Sequence, residues 1–145
     1  MLDDDGMDMD MDAEVYLVTP KGFYFDEDVY IEKKWGTEQI IHNEDHCVKI
    51  MAIKPNCKVS YHWHSKKAET FILISGQLVV EVQLQDATKE IIYLTEQFQS
   101  ITLMPNVPHT FYTPNEKSAI FIEASTHDDT DDSFRITSST CPGDE

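Results

Sequence analysis

The sequence predicts an all-β sandwich or barrel in a single domain, and three observations predict it. Short runs rich in Val, Ile, Phe, Tyr and Thr follow one another from residue 15 onward, punctuated by turn residues. No segment sustains a 3.6-residue apolar period between capping residues, so helix is expected to be minor. A length of 145 residues suits one domain with a sizeable core. Regularly spaced short strands need a closed or doubled sheet to limit unpaired edges.

The chain opens on an acidic segment, residues 1–14, whose Met-Asp alternation (Met7 to Asp12) buries too little apolar surface to offset its ordering entropy. It is expected to be a disordered tail. Val15–Val18 is the first strand candidate, and the aromatic stretch Gly22–Tyr30 reads as a hairpin with Gly22–Phe25 as a strand. Further strands are expected at Glu38–His42, Cys47–Lys54, Val59–His64, Thr70–Ile74, Gln77–Gln83, Glu90–Thr95, Ser100–Met104, His109–Thr113, Ala119–Ala124 and Phe134–Thr137. Ser75-Gly76 and Asp86-Ala87-Thr88 supply turns between them. The domain is expected over 15–139, with a flexible end at 140–145.

Net charge is −16, of which residues 1–14 carry −7 and residues 126–145 carry −5, leaving −4 for the middle. Such acidity argues against nucleic acid or an anionic membrane surface as partner. No apolar run approaches the ~20 residues of a membrane-spanning helix. The acidic N-terminus lacks the basic and apolar regions of a secretory signal. Cys47, Cys57 and Cys141 are odd in number and lack metal-site spacing, so free thiols and a cytoplasmic location are expected.

The segment from His62 to Glu69, completed by His109, carries the chemistry. Residues at i and i+2 of a strand share a face, so His62 and His64 point the same way. Glu69 follows a short turn and opens the run Thr70–Ile74, which reads as the antiparallel return strand. His109 opens another strand after Pro105-Asn106-Val107-Pro108. Three imidazoles and one carboxylate suit a divalent transition metal, with Zn or Mn favoured over Fe or Ni, rather than Ca or Mg. If His62 and His64 face inward, so should Ser60, while Val59, Tyr61 and Trp63 face the other layer. Glu69 inward brings Phe71 and Leu73, and His109 inward brings Phe111. On Ala119–Ala124 the period leaves two choices open: Phe121 with Glu123, or Ile120 with Ile122.

His62-x-His64-(x4)-Glu69-(x6)-Gly76 resembles the first motif of the cupin superfamily, and Met104–His109 is similar to its second. The resemblance implies a double-stranded β-helix, or jelly-roll barrel, and a metal held by His62, His64, Glu69 and His109. Two motif glycines are replaced, by Asn56 and Asn106. Asn is the residue other than Gly that best tolerates positive φ, so both turns can survive. Thr113 stands where the second motif closes with asparagine.

Residues 34–135 further resemble the C-terminal cupin domain of type II mannose-6-phosphate isomerases and its single-domain relatives. The likeness runs through Trp35-Gly36, Lys67, Glu123 and the ending Asp131-Asp132-Ser133-Phe134-Arg135; His62 departs from it, standing where those isomerases often carry Gln. It implies aldose–ketose isomerisation of a sugar or sugar phosphate through an enediol, with the metal stabilising the developing oxyanion. Glu123 is then the candidate base, the competing reading being a rim carboxylate bonded to Arg135 or Lys, and Arg135 and Lys67 are candidates for holding a phosphate or carboxylate. Trp35 reads as a core plug or a sugar-stacking platform, and Lys66 as a solvated turn residue. Two other readings compete: a non-catalytic metal-stabilised carbohydrate-binding module and a non-haem Fe(II) dioxygenase. A homodimer is expected, because N-terminal strands of such barrels can cover an edge or cross to a neighbour.

Overall fold

The computed structural model describes residues 22–144. Among them eleven strands follow in chain order: β1 (Val29–Lys33), β2 (Gly36–Asn43), β3 (His46–Ile53), β4 (His62–Trp63), β5 (Glu69–Ser75), β6 (Leu78–Gln83), β7 (Lys89–Leu94), β8 (Ser100–Leu103), β9 (His109–Tyr112), β10 (Ala119–Thr126) and β11 (Phe134–Arg135). They form a six-stranded sheet in the order β1-β2-β3-β10-β5-β8 and a five-stranded sheet in the order β11-β4-β9-β6-β7. Every pairing is antiparallel. Among the described residues helical structure is confined to short turns such as Thr130–Asp132. The all-β double-sheet architecture expected from the sequence is present. The segment 1–14 and the strand candidate Val15–Val18 lie outside the described residues.

Alternation on three strands of the six-stranded sheet builds one side of the core. On β3, Cys47, Lys49, Met51 and Ile53 are buried; on β5, Glu69, Phe71 and Leu73; on β10, Ala119, Phe121 and Glu123. The choice left open for β10 is therefore resolved in favour of Phe121 with Glu123. Phe71, Phe111 and Phe121 meet edge to face with centroids 5.2–5.4 Å apart, joining the two sheets. Trp35 is buried and meets Phe111 edge to face at 6.0 Å, while still lining the cavity described below.

Four expectations are corrected. The stretch 23–28 is not a strand; Tyr24 and Phe25 are exposed, and pairing begins at Val29, where β1 meets β2 through a turn at Lys34 and Trp35. The run after Glu69 is not the return strand of the His62 segment, since β4 and β5 lie in different sheets. Val59, expected to face the other layer, joins the core and lines the same cavity as Ser60, and burial does not alternate along Val59–Tyr61. Ser60 donates its backbone N–H to Ser139 Oγ (3.1 Å) and Tyr61 to Thr137 Oγ1 (2.9 Å). Finally, Cys57 and Cys141 are not free thiols but form a disulfide, while Cys47 is free and buried. Spacing along the chain conceals that bridge, since its partners are 84 residues apart and meet through the C-terminal segment. The same C-terminal stretch carries paired backbone bonds between Lys58 and Thr140 and a Lys34–Asp144 ion pair.

The turns behave as the asparagine substitutions predict. Asn56 and Asn106 adopt φ of 63° and 69°. Thr113 Oγ1 accepts the Asn56 N–H, which fixes the first of these turns. Gly76 has φ 77°, and a Cβ there would collide with the Ser118 carbonyl oxygen.

Candidate metal centre

Both sheets contribute to the site. His62 on β4 stands opposite His109 on β9 in the five-stranded sheet, and His64 follows just beyond β4. Glu69, the first residue of β5, approaches from the six-stranded sheet. One ligand-capable nitrogen from each of the three histidines lies within 4.8 Å of the others, so the three could hold a metal ion.

Backbone oxygens orient every ring. His62 Nδ1 lies 2.8 Å from Ser60 O, His64 Nδ1 2.8 Å from Asp132 O, and His109 Nδ1 2.9 Å from Val107 O. A carbonyl oxygen only accepts, so each Nδ1 carries the ring proton and each Nε2 is left as the coordinating atom. Among the described residues the buried Nε2 atoms of His64 and His109 have no hydrogen-bond partner, yet lie 3.4 and 2.9 Å from Glu69 Oε2. Lone pairs facing a carboxylate oxygen repel unless a cation stands among them. A proton satisfies one such contact; a metal ion satisfies all the donors together. The residues present therefore fit a divalent metal.

Electrostatics agree. Burial, with the neighbouring His109 second, pushes the His62 pKa down to about 4, and burial likewise lowers that of His64. Burial acts to raise the Glu69 pKa, but a proton shared with His109 Nε2, standing where a metal would, and the charge of Lys67 outweigh it and hold the carboxyl at about 2. The centre thus offers two neutral imidazoles and an ionised carboxylate near neutral pH.

The centre opens into a cavity of about 320 Å³, lined by His62, His64 and Glu69 and walled by Trp35, Met51 and Phe111. Glu123 lines it too and is 3 % exposed, so it is not a rim carboxylate. Its Oε2 accepts from Lys67 Nζ at 2.9 Å, and Oε1 makes no hydrogen bond among the described residues. Burial, then the charge of Glu69, raises its pKa against the opposing lysines. Arg135 on β11 also lines the cavity, is exposed, and has no ion-pair partner among the described residues. Lys67 is placed differently from expectation: its buried ammonium meets Asp128 at 2.7 Å, Glu123 at 2.9 Å and Glu69 at 3.5 Å. These carboxylates raise its pKa despite burial. It faces protein carboxylates rather than an incoming anion. Lys66 is exposed.

Sequence reasoning missed three members of this wall: Glu38, Lys49 and Asp128. Lys49 Nζ lies 2.9 Å from both Glu38 Oε1 and Asp128 Oδ2. Parity was the available signal, since Lys49 shares the inward face of β3 with Cys47, Met51 and Ile53. Asp132 is structural: it accepts from the Ser65 hydroxyl and the backbone N–H groups of Ser65 and Lys66, which form the turn before Glu69 and hold its pKa at about 2.

Residues 23–137 match the family model described as mannose-6-phosphate isomerase C-terminal. The chain belongs to that family. It is a cupin, and solved structures agree on the fold. Capsular polysaccharide assembling protein CapF from Staphylococcus aureus superposes with a TM-score of 0.65 at 16% identity, covering 82% of this chain and 34% of that one. The Lactobacillus farciminis oxalate decarboxylase formate complex gives 0.67 at 16% identity, covering 79% and 35%. A Bacillus subtilis oxalate decarboxylase OxdC mutant gives 0.68 at 20% identity, covering 79% and 32%. This cupin thus spans about a third of the length of each. No curated protein sequence matches it.

Proposed function

We propose that this cupin is a metal-dependent isomerase-like enzyme acting on a sugar or sugar phosphate in carbohydrate metabolism. The observation that carries the reading is Glu123, a buried carboxylate with a raised pKa and an uncommitted Oε1, in the same cavity as the histidine cluster. His62, His64, Glu69 and His109 would hold one divalent ion, Zn or Mn favoured over Fe or Ni, which supplies Lewis acidity to a substrate oxygen. Glu123 Oε1 takes the proton from one carbon of the substrate and returns it to its neighbour. Lys67, bonded to Oε2, keeps the protonating oxygen pointed away from itself. Trp35, Met51 and Phe111 exclude water from one side of the cavity, and Arg135 at its mouth meets a phosphate or carboxylate of the substrate. The family match supports this substrate class.

The test is exchange of substrate hydrogen with solvent deuterium across a sugar-phosphate panel. Exchange should require metal and Glu123 but not O2, and Glu123→Gln should lower turnover by ~10²–10⁴-fold with little change in binding. Metal-dependent O2 uptake would support the dioxygenase instead, and tight sugar binding without exchange the binding module. The same reading places the protein in the cytoplasm as a homodimer without nucleic-acid or membrane partners; a solution mass of 16.7 kDa by light scattering would refute the dimer. No helix among the described residues is long and apolar enough to cross a membrane. The Cys57–Cys141 bridge removes the free-thiol argument for a cytoplasmic location at two of the three cysteines.

A further inference from the structure

The two oxygens of Glu69 face different partners. Oε2 points to the Nε2 atoms of His109 and His64, at 2.9 and 3.4 Å, whereas Oε1 points to Lys67 Nζ at 3.5 Å. We infer that Lys67 is a positioning residue that holds Glu69 as a one-oxygen ligand, keeping Oε1 away from the metal and a coordination position free for a substrate oxygen. The inference rests on the metal reading above and adds to it a residue acting through the carboxylate rather than on the substrate.

Lys67 can do this because it is itself immobilised. Its ammonium sits 2.7 Å from Asp128 Oδ1 and 2.9 Å from Glu123 Oε2, so moving it toward or away from Glu69 breaks two charge-assisted hydrogen bonds in a buried setting. Asp128 is fixed in turn. Its other oxygen accepts from Lys49, its backbone N–H donates to Asn43 Oδ1 at 2.9 Å, and its carbonyl accepts from Asn43 Nδ2 at 3.0 Å. Lys49 closes the chain on Glu38. Glu38, Lys49, Glu69 and Glu123 sit on β2, β3, β5 and β10, which are joined in one sheet, while Lys67 just precedes β5 and Asp128 just follows β10.

Charge points the same way. Glu38, Glu69, Glu123 and Asp128 oppose two ammonium groups, Lys49 and Lys67, which leaves an excess of negative charge in the wall that a dication at the histidines would cancel. Without Lys67, Oε1 would be a buried carboxylate oxygen with no partner except that dication. Binding through both oxygens is then the expected outcome.

The experiment uses the full chain loaded with Co(II), whose visible d–d absorbance weakens as coordination number rises. Lys67→Met should still bind Co(II) but with a several-fold weaker band, as Oε1 joins the metal. Lys67→Arg should keep the wild-type band, because the guanidinium restores charge and donors toward Oε1. Should Lys67→Met fail to fold by circular dichroism, Lys67→Gln is read in its place with the same expectation. An unchanged band in the neutral variants, or an equal loss in Lys67→Arg, overturns the inference while leaving the metal reading intact. A wild-type chain that binds no Co(II) overturns both.

Discussion

Breaking the Cys57–Cys141 bridge should lower stability without abolishing the fold. The partners are 84 residues apart, and closing a loop of that length removes about 15 cal/mol/K of chain entropy from the unfolded state, or about 4.5 kcal/mol at 25 °C. Unfolding a domain of about 120 residues carries an entropy near 0.25 kcal/mol/K, so the loss corresponds to a Tm lower by about 18 °C. Folded-state contacts should survive, because Lys58 and Thr140 exchange two backbone bonds and Ser139 and Thr137 hold Ser60 and Tyr61 independently of sulfur. Cys57→Ala/Cys141→Ala is compared with wild type by calorimetry, with and without dithiothreitol, and alkylation in denaturant without reductant is followed by intact mass. One label, on Cys47, is expected for the wild type. Three labels, or a double variant melting within about 3 °C of wild type, would refute the reasoning.

Other perturbations are as direct. His109→Ala should abolish stoichiometric metal by elemental analysis, and a chelator should cost the wild type about 2.7 kcal/mol where metal stood at 100 times its Kd. In metal-free protein the folded-state pKa of His62, about 4 against an ordinary 6.5, makes the unfolded chain bind more protons between those values. Its contribution, about 3 kcal/mol, is therefore present above pH 6.5 and lost as pH falls to 4. Glu69 and Asp132, both held near 2, extend that loss from about pH 4.5 downward, while Glu123, raised, opposes it; urea titrations across pH 2–8 give the profile. Asn106→Ala should cost about 1 kcal/mol because φ is 69°, whereas Asn106→Gly should be near neutral by thermal melting.

Much of the strand content was legible because a period of two is a local property. Once Glu69 is inward, Phe71 and Leu73 must follow, and they do. The histidines were legible for the same reason, and the φ values at Asn56 and Asn106 because only a few residue types tolerate that region. Pairing partners were not, since alternation says which way a side chain points and nothing about which strand lies beside it; hence the misplaced return strand after Glu69. Nor was the wall of Glu38, Lys49 and Asp128, because charged residues read as solvated faces until partners 11 and 79 residues away are brought to them. Val59–Tyr61 escaped for a third reason: two of its backbone N–H groups bond to side-chain hydroxyls of the C-terminal segment, an arrangement that alternation does not anticipate.

The place of β10 between β3 and β5 also sets how the protein can be made. A nascent chain that has emerged as far as residue 118 holds both flanking strands but not the one that joins them. Their facing edges then offer unpaired N–H and C=O rows to any other nascent chain nearby. All three histidines and Glu69 precede that point, whereas Glu123 and Asp128, which anchor Lys67, follow it. On the ribosome, the residues able to capture an ion therefore exist before the lattice that orients them.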